Sequence, residues 1–77
     1  MGSTDFGWVL RELMKAPNKK FARRGWNGKG MWISLQVPDA HSKMTQSYLY
    51  MKTAQNLLVP WLAAQSDMLS EDWEEVG

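Results

Sequence analysis

The chain has 77 residues with 9 Lys+Arg, 8 Asp+Glu and one His, a formal charge of +1, which excludes a polybasic or polyacidic protein and leaves room for one domain. A domain this short buries only about 60% of the surface its unfolded chain exposes; without Cys it lacks disulfides and thiolate metal sites, and the lone His41 does not suffice for a zinc cluster. The 44% apolar and 22% charged shares are those of a folded chain. No apolar run reaches the roughly 18 residues of a membrane span, and residues 1–3 lead into a polar start rather than a signal peptide. The expectation is a cytosolic domain that gains stability by self-association.

Phe6, Val9, Leu10, Leu13 and Met14 fall at i, i+3, i+4, i+7 and i+8, one stripe of an amphipathic helix. Thr4 or Asp5 caps its start and Pro17 ends it near Ala16. Trp8 lies beside that stripe and is a candidate subunit contact. Lys19 to Arg24 alternate around Phe21, and Met31 to Val37 read as a β-branched and aromatic strand. Pro38 to Gln46 are polar and turn-like, and contain His41. Tyr48 to Thr53 alternate as a strand, with Leu57 to Trp61 as a shorter partner across a turn. Pro60 cannot donate to a ladder, so that partner is an edge strand or ends there. From Ser66 the pattern turns helical for about two turns, with Ser66 or Asp67 as cap, Met68 and Leu69 facing inward, and Trp73 in a short final segment. The fold class is therefore α+β, one domain over residues 1–77: an N-terminal helix on a small antiparallel sheet, with a short second helix near the C-terminus.

Charge is unevenly placed. All 9 Lys+Arg lie in residues 1–53 against Asp5, Glu12 and Asp39, whereas residues 54–77 hold Asp67, Glu71, Asp72, Glu74 and Glu75 and no base. Such complementarity favours the acidic tail folding back on the basic body or docking on a neighbouring subunit.

Catalysis is hard to assemble from these residues. His41 sits in a turn-like loop without a nucleophile signature, and the terminal carboxylates lie where acidic runs usually just solvate. Asp67 stands at a helix start, where it serves either as a cap or as a ligand contact. The segment Arg24-Gly25-Trp26-Asn27-Gly28-Lys29-Gly30 carries more information. Its glycines permit positive φ and close backbone approach, so successive N–H groups can form an anion-receiving nest. Arg24 offers a planar fork for phosphate, Trp26 a π-face for a base, and Asn27 an amide for an adenine edge. The same spacing also suits a tight hairpin with Trp26 as a core anchor and Arg24 on the surface.

These residues resemble a known family. Phe6-Gly7, Arg24 to Met31, Tyr50-Met51-Lys52-Thr53, Val59-Pro60-Trp61-Leu62-Ala63, Gln65 to Leu69 and Asp72-Trp73 are similar, in that order and over nearly the whole chain, to motifs of small phage and prophage proteins of the second Thoeris anti-defence type. The resemblance implies a non-enzymatic sponge, acting in the host bacterial cytoplasm, that sequesters cyclic ADP-ribose isomers or related cyclic nucleotides made by TIR-domain immune proteins. It implies a homo-oligomer, commonly a tetramer, with nucleotide pockets at subunit interfaces, no cofactor, and neither membrane nor nucleic acid as partner. The ligand-binding residues it points to are Arg24, Trp26, Asn27, Gly28, Met31, Gln65, Ser66 and Asp67. The chain departs from the family in a shorter region from Pro38 to Tyr48, in a turn Ala54-Gln55-Asn56-Leu57 without the usual Asp-Gly, and in Ser66 where Thr is frequent. Two other functions stay open beside the sponge: a small nucleic-acid binder using Lys19, Lys20, Arg23, Arg24 and Lys29, and a structural oligomeric prophage protein.

Overall fold

A computed structural model describes residues 4–26, 30–38 and 46–76. The first helix, α1, runs Phe6–Lys15; the Asp5 carboxylate accepts the Trp8 N–H at 2.8 Å and so caps the first turn. At the other end the Ala16 N–H donates to the Glu12 carbonyl at 2.9 Å, and Pro17 stops the ladder. Phe6, Val9 and Leu13 are buried against the sheet. The buried stripe is narrower than the sequence pattern: Leu10 and Met14 are exposed, since a short helix lying on a small sheet buries one line of contacts and leaves its flanks in water.

Five strands form one antiparallel sheet in the order β4-β3-β2-β1-β5: β1 Lys20–Arg23, β2 Trp32–Gln36, β3 Tyr48–Lys52, β4 Leu58–Pro60 and β5 Trp73–Val76. Phe21 faces Ile33 and Ile33 faces Met51 in register, and because side chains alternate this line of residues meets α1. The core is Phe6, Val9, Leu13, Phe21, Ile33 and Trp73. Trp8 lies edge-on to Phe21 with centroids 5.2 Å apart, which gives its indole a partner within the chain. Ser34 is buried and donates to the carbonyls of Pro17 and Lys19, fastening the end of α1 to the sheet. As Pro60 requires, β4 is an edge strand.

Two features of the C-terminal third differ from the sequence expectation. The second helix, α2, is a single turn, Gln65–Met68, with Ala64 at its N-cap; Met68 and Leu69 are exposed rather than inward. What faces inward is Asp67, tied to the body by polar contacts, while Trp73 fills the apolar space. The acidic tail folds back on the basic body as its charge favours, but it does so as a strand, β5, which pairs with β1 from Lys20–Val76 to Arg23–Trp73. In β5 Trp73 enters the core while Glu74 and Glu75 stay exposed beside basic residues, Glu75 lying 3.7 Å from Lys19 Nζ.

Ile33 is fully buried at the centre of the sheet. Ile33→Val should cost about 0.5–1.5 kcal/mol, lowering the melting temperature by about 4–8 °C per kcal/mol, whereas Leu62→Ala, at 91% exposure, should leave it unchanged in the same thermal-denaturation measurement.

Candidate functional site

The end of β1 separates two adjacent arginines. Arg23 turns to the core side, and Arg24, one residue on, turns to solvent with its side chain 69% exposed and its Nε 4.0 Å from Glu74. Arg23 is half-buried and shared between two carboxylates: its Nε donates to Asp72 Oδ1 at 3.0 Å and its Nη1 to Asp67 Oδ1 at 2.9 Å. Asp72 in turn accepts the Gly25 N–H on Oδ2 at 3.0 Å and the Arg24 N–H on its carbonyl at 2.9 Å. The Trp26 N–H closes the turn onto the Arg23 carbonyl at 3.1 Å. The same residues thus hold the glycine-tryptophan segment, α2 and the start of β5.

Around this node lie four aromatic rings. Trp26 meets Trp73 edge-on at 5.3 Å and Trp61 at 6.3 Å; Phe6 lies 5.4 Å from Trp73 and 6.0 Å from Trp61. Trp73 is fully buried and donates its Nε1–H to the Asp67 carbonyl at 3.0 Å. Trp26 is half-buried, the outer member of the cluster, anchored by its edge contacts yet open to solvent over part of its surface.

Of the residues singled out in the sequence, Trp26 and Asp67 meet at this node through Arg23 and Trp73. Arg24 joins by its backbone alone, and its guanidinium points away. Gln65 and Ser66 are exposed on the single turn of α2, next to Asp67. Neither Ser66 nor Asp67 is the N-cap that the sequence suggested: Ala64 holds that position, and Asp67, three residues on, reaches back to accept the Ala64 N–H at 3.1 Å. Met31 is half-buried beside β2. Gly25 spends its N–H on Asp72 rather than offering it to an anion, and Gly30 has the positive φ, 78°, that its position anticipates, its carbonyl accepting from Lys52 Nζ at 2.9 Å. Asn27, Gly28, Lys29 and His41 lie outside the described residues. The sequence did not single out Asp72, Trp61 and Trp73 as site-forming residues, and it pointed to Arg23 only as part of a nucleic-acid-binding alternative. The strand alternation of residues 20–23 was the signal that separates Arg23 from Arg24.

Burial alone would push the Asp72 carboxyl up, but the Arg23 guanidinium and the Gly25 N–H outweigh it and hold the group below the ordinary carboxylate range. Its partner's guanidinium is correspondingly held above its usual value, chiefly by the bonds to Asp72 and then Asp67. Across the sheet, Lys19 Nζ bonds Glu12 at 2.9 Å and lowers that carboxyl as well. Among the described residues no group of three or more His, Asp or Glu is placed to hold a metal ion, and no helix is long and apolar enough to cross a membrane. A separate groove of about 150 Å³, lined by Gln36, Tyr48, Tyr50, Leu58, Val59 and Pro60, lies among β2, β3 and β4 and shares none of these residues.

Comparison with known proteins adds two findings. Residues 4–76 match the model of the Thoeris anti-defense 2-like domain. The chain is also 33% identical, over 85 aligned positions that cover 94% of it and 93% of the relative, to "Thoeris anti-defense 2" of Bacillus phage SP01.

Because Asp72 and Glu12 have lowered folded-state pKa values, their contribution to stability is present above the unfolded carboxylate range of about 4 and is lost as pH falls through the folded values. Denaturation midpoints across a pH series should therefore be steady from neutral pH to about 5 and then decline. Asp72→Asn should be less stable at neutral pH and show a shallower acid decline; an acid limb as steep as the wild type's would show that Asp72 does not carry it.

Proposed function

Since the chain belongs to the Thoeris anti-defense 2-like family, which gives it a phage anti-defence role, we propose that it acts as a sponge: it binds and sequesters a cyclic ADP-ribose isomer or related cyclic nucleotide in the host cytoplasm and breaks no bond. The observation that carries this reading is Trp26, half-buried, held by Trp61 and Trp73 at 6.3 and 5.3 Å, two residues along the chain from the exposed Arg24. A tryptophan held by two neighbouring rings while partly open to solvent is suited to take a purine, and placing it before the ligand arrives spares the entropy of ordering it then. Arg24 supplies a cation for the diphosphate, Asn27 and Gly28 adjoin Trp26 in sequence, and Met31, Gln65, Ser66 and Asp67 complete the ligand-binding set. In Asp67 the carboxylate is already bonded to Arg23 and Ala64, so its part in the set is to place α2.

The distribution of charge supports a small-ligand site over a nucleic-acid groove. In the basic stretch of residues 19–23, Lys19 is paired with Glu12 and Glu75, Arg23 with Asp67 and Asp72, and Lys20 lies over the Trp32 ring at 5.1 Å. A strand-binding groove would hold such cations free for phosphates. Self-association as a homotetramer belongs to the same proposal. Its support is the sheet face turned away from α1, where Trp32, Tyr50, Leu58 and Pro60 share one side by register and Leu58 is 64% exposed.

Incubation of the purified protein with an extract containing TIR-made signals, followed by washing, heat release and mass spectrometry, should recover an intact cyclic nucleotide; a converted product would indicate an enzyme instead. Trp26→Ala should weaken binding of that nucleotide by about 1–3 kcal/mol, the usual worth of one base stack, or about 5- to 150-fold. Calorimetry on the folded variant checks this, and wild-type affinity would refute the stacking role.

A further inference from the structure

We infer that Arg23 and Asp72 form a latch that sets the position of the Trp26 segment, and so act as positioning residues of the site rather than as ligand contacts. The inference rests on the sponge reading for its link to affinity, and on geometry for the latch itself.

Three consecutive residues of one segment are bound to a single residue nearly fifty positions away in the chain. Arg23 donates from Nε to Asp72 Oδ1, Arg24 donates its N–H to the Asp72 carbonyl, and Gly25 donates its N–H to Asp72 Oδ2. One carboxylate thus bridges a side chain and the backbone two residues on, which fixes the course of the chain into Trp26. The next N–H, that of Trp26, returns to the Arg23 carbonyl. The Trp26 ring then rests on Trp73, the residue following Asp72, so backbone and ring of residue 26 are both placed from residues 72 and 73.

The remaining arm of the Arg23 fork reaches Asp67 and joins the exposed first turn of α2 to the same point. A guanidinium is needed for this, because two carboxylates approached from two directions match its fixed fork, whereas an ammonium on a flexible stem carries the charge without the geometry. Gly25 is part of the device: a Cβ there would stand 3.1 Å from Asp72 Oδ2, tighter than a carboxylate held by Arg23 can relieve without moving. The side chains of Arg23 and Asp72 are 20% and 31% exposed, and with both Asp72 oxygens engaged within the chain they have little left to offer a ligand.

The test compares Arg23→Lys, Asp72→Asn and Gly25→Ala with Glu12→Gln, which breaks an ion pair elsewhere in the fold. Calorimetric titration with a cyclic ADP-ribose isomer, at a temperature well below each variant's melting point, should show affinity reduced about ten-fold or more in the three latch variants and unchanged in Glu12→Gln. In ¹⁵N NMR spectra the wild-type Gly25 amide should be protected from exchange, and Asp72→Asn should abolish that protection and shift the Trp26 indole resonance. Latch variants that bind like the wild type, or a Gly25 amide unprotected in the wild type, would overturn the proposal. If the wild type binds no such nucleotide, the sponge reading falls, and the latch is judged by the Trp26 indole alone: its shift in Asp72→Asn upholds the latch, and an unmoved resonance overturns it.

Discussion

The structure is organised around the burial of Trp73. This ring, fully enclosed, touches Phe6 of α1, Trp26 after β1 and Trp61 after β4, while its indole N–H is satisfied by the Asp67 carbonyl and its backbone N–H by the Thr4 carbonyl at 3.1 Å. An indole buried without a partner for its N–H would be costly. Placing it therefore requires α2 to stand where its carbonyl can accept, and β5 to lie along β1 so that the chain enters the core at residue 73. Much of the C-terminal third follows from those two demands, including a helix too short to hold itself by apolar contacts.

A chain of 77 residues without Cys has little surface to bury and no covalent staple. Here the two ends of the chain are joined instead. The Thr4 hydroxyl donates to the Glu71 carbonyl at 2.7 Å, β5 pairs with β1, and Lys19 bridges Glu12 of the helix and Glu75 of the last strand. Exposed ion pairs add little each, but these lie along contacts between segments far apart in sequence and bias the acidic tail toward one docking position. The Arg23 pair is different in kind, because partial burial of both partners makes a missing one expensive.

For the proposed sponge, which would capture its ligand without transforming it, rigidity of the binding face matters more than reactive groups. The cluster around Trp26 meets that requirement by T-shaped contacts with Trp61 and Trp73, which fix the ring's orientation while part of the residue stays open to solvent. The sheet's other side, with Trp32 and Tyr50 5.9 Å apart and Lys20 over the indole, offers a second aromatic surface.

Much of the fold was legible from local pattern. The helix over residues 6–15, strands β1 to β4 and the edge position of Pro60 follow from periodicity, capping and the missing proline N–H, all properties of neighbouring residues. The motif at residues 24–26 stood out by composition as well. That Arg23 is shared between Asp67 and Asp72, that Asp67 faces inward in place of Met68 and Leu69, and that Trp73 begins a fifth strand were decided by tertiary structure. Each depends on a partner some 44 to 56 residues away: Arg23 on Asp67 and Asp72, and the β5 backbone on β1, from Arg23 opposite Trp73 to Lys20 opposite Val76. A four-residue amphipathic or acidic segment has no pattern long enough to specify its own state, so the pairing that buries Trp73 selects it.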